Sequence, residues 1–474
     1  MMSFSNHGRY RQQVRFLQRQ FLQDGELPFT NVLCEGTITQ ALKALDGVWL
    51  DRIYSPLVTL WVFLSQVLSQ DHSCRAAVAR LIAHRVSRGR RPCSAETGAY
   101  CQARKRLPEA FFSGVARRVG KALDDGVDPA WLWKGRPVDM FDGTTVSMPD
   151  TPKSQAAYPQ VYNQKLGLGF PIARVCSIIS LSSGAMLDLG ISRYAGKGQG
   201  ELSLLRQLWD ILSPGDVLLT DCYMSTWHEM WTLKQRGVDS ISRLNKALRR
   251  ADFRRGQRLG KGDHIVRWRK PSSIRHLDGA TYKSLPDYLE IRETRVCVEQ
   301  PGFRTKDIVV VTTLLDPEAA SKDDLAGAYR ARWNHELDLR SIKITMQMDI
   351  LRCKTPELVR KEIWTHALAY NLIRTIMAQA ASQHGLQPRE ISFKGTVQTL
   401  EAFQPLVSFQ EHKGAAFRQR LYLQLLEAVA THRVADRPDR YEPRMRKRNP
   451  RKAAMMTKPR KELKRLMRKG LAAI

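Results

Sequence analysis

The chain is 474 residues long, which allows two to four domains at about 100–200 residues each. Its residues are 43% hydrophobic and 26% charged, a globular balance that excludes a wholly disordered or collagen-like chain. Lys and Arg number 76 against 46 Asp and Glu, and the formal charge of +30 points to a polyanion partner. Nucleic acid is the first choice, with ribosome association or a solvated basic surface as the plainer alternatives. The longest apolar stretch, Leu57 to Leu68, includes Ser65 and Gln66 and falls short of the about 20 residues a membrane span needs. The positive N-terminus has no apolar run behind it, so a secretory signal is not expected. Cys34, Cys74, Cys93, Cys101, Cys176, Cys222, Cys297 and Cys353 form no C-x-x-C pair and no zinc spacing, which suits a reducing cytoplasm.

Residues 1–130 read as a helical N-terminal domain. Apolar periodicity at Leu57–Val67 and Ala76–Ile82 gives way to a basic run, His84, Arg85, Arg88, Arg90 and Arg91. A further helical pattern, Ser94 to Leu107, would turn Thr97, Tyr100 and Arg104 toward one groove, an arrangement suited to docking on DNA. An ordinary helical domain with a solvated face is the competing reading. Strands are expected at Val138–Met148, Arg174–Leu181 and Ala185–Ile191, the last two joined across Ser183-Gly184 in a hairpin. An amphipathic helix at Glu201–Leu212 precedes the short apolar strand Asp216–Asp221. A helix over 226–236 and a strand over 238–244 follow. The order predicts an α/β fold, a mixed sheet with helices packed on it.

Residues 245–318 interrupt that rhythm with a basic stretch and then strand-like runs at Tyr288–Ile291, Arg295–Val298 and Ile308–Leu315, so they read as a β-rich insertion. A long helix capped by Ser321 should run to about Thr345, with a second starting at Thr355-Pro356. Residues 131–244 and 319–390 would make the core, 391–440 a C-terminal helical region, and 441–474 a basic tail that stays disordered or folds on DNA.

Three acids stand out. Asp142 ends the first strand, Asp221 ends the apolar strand V-L-L-T-D, and Glu336 lies in the long helix. A carboxylate at the end of a buried strand is costly unless paired or metal-bound. Tyr329, Arg332, Glu336 and Lys343 fall at helical offsets of 0, 3, 7 and 14, which stay on one face. An acid among a phenol and two cations suits a metal gripped by carboxylate and phosphates gripped by the rest; chance spacing on an exposed helix is the alternative. Three carboxylates from separate elements suit a two-metal phosphoryl-transfer site holding two Mg²⁺ ions, with Mn²⁺ as an expected substitute.

On these residues the chain resembles the DDE transposases of bacterial insertion sequences, in particular the IS-four family. That family carries a Y-(2)-R-(3)-E-(6)-K signature, which Tyr329, Arg332, Glu336 and Lys343 match without a gap. The contexts Asp142-Gly143-Thr144 and Thr220-Asp221 with Tyr223 are also similar, as are V-V-T-T-L-L-D at 310–316 and A-Y-N-L-I-R at 369–374. The likeness covers roughly residues 40–400. It implies a ribonuclease-H-like core with a β-rich insertion, and Asp142, Asp221 and Glu336 as catalytic metal ligands. It implies phosphate contacts for Tyr329, Arg332 and Lys343. It also implies double-stranded DNA as partner (terminal inverted repeats and target), a homodimer pairing two ends, and excision through a hairpin. The expected function is metal-dependent cleavage and strand transfer in a cytoplasmic, nucleoid-associated protein. A ribonuclease-H-like nuclease without strand transfer, or a non-catalytic DNA-binding remnant, are the alternatives.

Neighbouring residues are read more plainly. Asp139 should point to the other sheet face as a structural residue or helper, and Asp188 to the surface. His335 reads as a satisfied or solvent-facing histidine and Asp338 and Asp349 as solvated charges, while Trp333 with Leu337 reads as core. Trp268, in the insertion, reads equally as a packed indole or as a base-capturing aromatic.

Overall fold

The computed structural model describes residues 7–21, 28–43, 45, 52–297, 307–409, 413–435 and 456–469. Six helices come first: α1 (His7–Gln20), α2 (Glu35–Leu42), α3 (Pro56–Leu68), α4 (Cys74–Ser87), α5 (Gly98–Arg106) and α6 (Glu109–Asp125). Strand β1 (Val138–Ser147) follows, then α7 (Pro152–Ala157), β2 (Ile172–Ser180), β3 (Met186–Arg193), α8 (Glu201–Leu208), β4 (Val217–Leu219), α9 (Trp227–Gln235) and β5 (Asp239–Arg243). Next come β6 (Gln257–Gly260), β7 (Asp263–Arg269), α10 (Gly279–Ser284), β8 (Tyr288–Cys297) and β9 (Asp307–Thr312). The chain continues as α11 (Lys322–Ala331), α12 (Trp333–Arg340), α13 (Pro356–Gln383), α14 (Phe393–Phe409), α15 (Ala415–Thr431) and α16 (Arg460–Arg468). The last of these places a helix within the tail expected to be disordered or to fold only on DNA.

The described strands form one mixed sheet in the order β3-β2-β1-β4-β5-β9-β8-β7-β6. β1 is antiparallel to β2 and parallel to β4, and β4 is parallel to β5. The strands at 257–312 extend this sheet through β9, which pairs antiparallel with β5. β2 and β3 turn about Gly184, whose φ of 73 is open to glycine at little cost. The run V-L-L is short because both its neighbours bury it; all three residues are buried, as a central strand requires.

Helix α13 starts where Thr355 accepts the Leu358 N–H and Pro356 takes the first turn, and nearly all of its length is buried. It packs on α6, and α6 on β3, closely enough that a Cβ at Gly120 would sit 2.3 Å from the Met186 carbonyl. Asn371 ties the three together: its amide donates to Ala116 O and Met186 O and accepts from Met186 N. The N-terminal helices therefore share one hydrophobic core with the sheet. A second core holds Trp227, Trp268, Leu289 and Ile291 beneath the added strands. Trp268 is a packed indole there, donating to Glu293 at 2.8 Å. Among the described residues no helix is long and apolar enough to cross a membrane.

Three local expectations fail, and a fourth, Asp188 at the surface, holds only in part. Tyr100 and Arg104 are buried rather than turned to a groove. Asp338 is buried, not solvated, because it meets two guanidinium groups, Arg374 and Arg389, the latter at 2.7 and 2.8 Å. Trp333 and Leu337 are exposed rather than core, because the inward face of α12 carries His335, Asp338 and Leu339. Asp188 is only marginally at the surface and pairs with Arg117 at 2.7 Å.

Candidate active site

Asp142 lies on β1 where burial gives way to partial exposure, opposite Ser177 of β2. Asp221 lies two residues beyond β4, the strand parallel to β1, so the two acids leave adjacent strands in the same direction. Its Oδ1 accepts the Tyr223 N–H at 2.8 Å, which fixes the turn after the strand. Glu336 comes from α12, which packs on β1. Arg332 joins the pieces: Nη1 donates to Asp142 Oδ2 at 3.0 Å and Nη2 to Glu336 Oε1 at 2.8 Å.

The charges answer one another. Burial raises the Asp221 carboxyl above the usual range, and the negative charge of Asp142 adds to it. Burial opposes the charge on Arg332, but Tyr329, Glu336 and Asp142 outweigh it and hold the guanidinium more firmly protonated. Tyr329 lies beside Arg332, whose guanidinium is 6.0 Å from its ring centre, and burial pushes its phenol up. Arg332 thus joins Asp142 to Glu336 with Tyr329 beside it, and Asp221 lies within electrostatic reach of Asp142, although the carboxylate oxygens of the three acids do not all lie within 4.8 Å of one another. Lys343 is not drawn into this network; among the described residues its ammonium makes no ion pair. The helix that carries the four signature residues is broken at Arg332 and winds wider over residues 341–345.

Three further residues face the site. Glu201 opens α8, and a Cβ on Gly143 would come within 2.9 Å of its Oε1. Its carboxyl is raised by burial and by the charges of Asp142 and Asp221, while Arg174 holds it at 3.1 Å. Arg243, at the end of β5, feels Asp221 and Tyr329 and touches Cys222 Sγ at 3.5 Å. No spacing in the sequence marks Glu201, Arg174 or Arg243; the pairing of β1 with β2 and the return of α8 set the first two here, and the parallel pairing of β5 with β4 sets Arg243. His335 is buried behind Asp142 with Nε2 3.1 Å from the Ser177 carbonyl, but its Nδ1 has no hydrogen-bond partner, so it is only half satisfied. Asp139 is buried on the opposite face.

The donor set fits a hard divalent cation. All the candidate ligands are carboxylates, the chemistry such ions take, and a guanidinium stands between two of them where a cation would neutralise the cluster.

The family model described as the transposase DDE domain matches residues 133–372. The chain belongs to that family, and all three acids fall inside the match. Transposase InsG for insertion sequence element IS4 of Escherichia coli (strain K12) is 27% identical over 364 residues, 75% of this chain and 78% of that relative. Putative transposase InsL for insertion sequence element IS186A of the same organism is 36% identical over 69 residues, 15% of this chain and 19% of the relative. The cryo-EM structure of a piggyBac transposase synaptic complex with hairpin DNA is similar at 9% identity and a TM-score of 0.42, covering 87% of this chain and 85% of the other. The protein is therefore a DDE transposase, an enzyme that acts on DNA and, as that domain implies, depends on a divalent metal.

Proposed function

We propose that this transposase cuts its element free and joins it to target DNA at a site built on Asp142, Asp221 and Glu336. The observation that carries the proposal is Arg332, which ties Asp142 to Glu336 although 190 residues separate Arg332 from Asp142. The core is read as ribonuclease-H-like, supported by the β3-β2-β1-β4-β5 run with β2 antiparallel to β1. In this reading residues 131–244 and 319–390 form the catalytic core and 245–318 its insertion.

In this reading the three acids hold Mg²⁺, for which Mn²⁺ substitutes. When bound, the metal supplies Lewis-acid charge at the phosphodiester. The residues of the chain hold the DNA. Tyr329 donates its phenol to a phosphate oxygen, and Arg332 turns from the carboxylates to the same backbone as they are neutralised. Lys343, about three turns beyond Arg332, grips a neighbouring phosphate. Hydrolysis leaves a 3′-hydroxyl on the element, and that hydroxyl then attacks a second phosphodiester, displacing its 3′-oxygen. Positioning and neutralisation do most of the catalysis, and no covalent protein intermediate is required. Two copies pair two terminal repeats in a homodimer, with the basic segment from His84 to Arg91 on the DNA backbone.

Replacing Glu336 by Gln tests the assignment. The variant is expected to bind terminal-repeat DNA within about threefold of wild type, since one neutralised acid changes phosphate contacts little, and to lose cleavage and strand transfer. Cleavage by Glu336→Gln at the wild-type rate in Mg²⁺ rejects the site. Cleavage by wild type without strand transfer would instead point to the nuclease reading.

A further inference from the structure

Arg104 is one of the most buried cations in the molecule, 3% exposed, and its surroundings are sulfur. Its Nη2 lies 3.2 Å from Cys74 Sγ and 3.5 Å from Cys101 Sγ, and its Nη1 lies 3.6 Å from Cys353 Sγ. The remaining polar contact is Gln66 Oε1 at 3.4 Å, an oxygen already taking the Tyr100 hydroxyl at 2.7 Å. Phe63 and Tyr100 cover the guanidinium faces, and its Nε has no hydrogen-bond partner. Among the described residues no carboxylate forms an ion pair with it. Glu362, an acid within electrostatic reach, is turned instead to the Arg352 and Cys353 backbone N–H groups.

A buried cation without a counter-anion is costly, and the thiols are the groups placed to supply one. Cys353 does not, because burial and the Glu362 charge both push its thiol up. The Cys74–Cys101 pair does: both sulfurs lie against Arg104 Nη2, and of the two we take Cys101, whose thiol is pulled down by the Cys74 hydrogen bond and by Arg104, as the one that ionises. Cys74 and Cys101 are half-buried, whereas Cys353 is buried.

We propose that Cys101 and Cys74 form a hydroperoxide-reactive dithiol, with Arg104 as the cation that holds the attacking sulfur as thiolate. The Cys101 sulfur attacks a peroxide oxygen; an S–O bond forms and the O–O bond breaks, giving a sulfenic acid and, after protonation, water or an alcohol. The Cys74 sulfur then attacks the Cys101 sulfur; an S–S bond forms, the S–O bond breaks, and hydroxide leaves with the Cys74 proton as water. Two thiols lose two electrons and the hydroperoxide gains them. The product staples the first turn of α4 to α5, beside the basic segment that links them.

The test uses the reduced full chain. Iodoacetamide labelling is followed by mass spectrometry at pH 8 and pH 6, with exposed Cys297 as internal reference. An ordinary thiol slows on the order of a hundredfold over that range; Cys101 is expected to slow by less than about threefold. Stoichiometric hydrogen peroxide is expected to give a Cys74–Cys101 linked peptide in a non-reducing map, and Cys74→Ser is expected to leave Cys101 trapped by dimedone. The proposal fails if Cys101 slows in step with Cys297. It fails equally if peroxide gives no Cys74–Cys101 link, or if dimedone leaves Cys101 unlabelled in the variant. None of these readouts depends on transposition.

Discussion

Arg332 competes with the metal, and replacing it by Ala should show this. A divalent cation that settles between Asp142 and Glu336 must displace the guanidinium from both. The Asp142 contact joins side chains only 15% and 21% exposed. A hydrogen bond between charged groups is worth about 1.5–3 kcal/mol, and partial wetting places this one near about 1.5 kcal/mol. The Glu336 side chain is 38% exposed, so that contact is screened to about 0.5 kcal/mol. Removing Arg332 relieves the cation of about 2 kcal/mol of competition, which corresponds to an affinity gain of about 30-fold. The assay is a calorimetric titration of Mn²⁺ into the full chain without DNA, with circular dichroism to show that the variant is folded. Arg332→Ala should bind Mn²⁺ more tightly yet cleave terminal-repeat DNA more slowly, because its phosphate contact is gone. Unchanged or weaker Mn²⁺ binding by a folded variant refutes the competition, and with it the idea that the guanidinium stands in the metal's place.

Other substitutions probe the surroundings. Glu201→Gln keeps the shape but removes a charge beside Asp142, and should lower metal affinity or cleavage by about tenfold, as loss of an outer carboxylate does at metal sites; wild-type values in both would leave Glu201 a structural partner of Arg174. Asp338→Ala strands two buried guanidinium groups and should cost about 3–5 kcal/mol in urea unfolding, and a loss under 1 kcal/mol would mean that Arg374 and Arg389 find other partners. Asp139 is raised well above the carboxylate range by burial and by Asp124 and Asp216. Its folded value exceeds its unfolded one, so the penalty is absent below the ordinary carboxylate range, grows as pH rises toward the folded value, and is full above it. Asp139→Asn should therefore raise Tm at neutral pH, and the gain should fade on acidification; a gain that persists at acid pH would have another origin.

What the sequence revealed depends on how far away each residue's partner lies. Strands β1 to β5 were legible to within about two residues because alternation and β-branched runs are local signals, whereas β6 and β7 lay hidden in a basic stretch and β8 joins two runs that read separately. Asp221 stood out because a carboxylate just past an apolar strand is anomalous in its own context, Glu336 because it shares a helical face with Tyr329 and Arg332, and Asp142 through its Asp-Gly-Thr context, although β1 runs on past it to Ser147. Residue type alone misled wherever the compensating group came from elsewhere. Asp338 read as solvated because Arg374 and Arg389 lie 36 and 51 residues away. Arg104 read as a DNA contact because the sulfurs around it belong to three segments, one of them 249 residues distant. Trp333 and Leu337 read as core because an uninterrupted helix with an apolar inward stripe was assumed. In the structure that helix breaks at Arg332 and winds wider after Arg340, and its inward face buries His335 against Ser177 and Asp338 against two arginines. Polar groups on that face anchor the helix to the sheet and to α13. Glu336, one residue from His335, is thereby held at the edge of the sheet rather than over its core. The same inversion that defeated the local reading is what aims the third acid at the first, so Asp338→Ala should cost cleavage as well as stability.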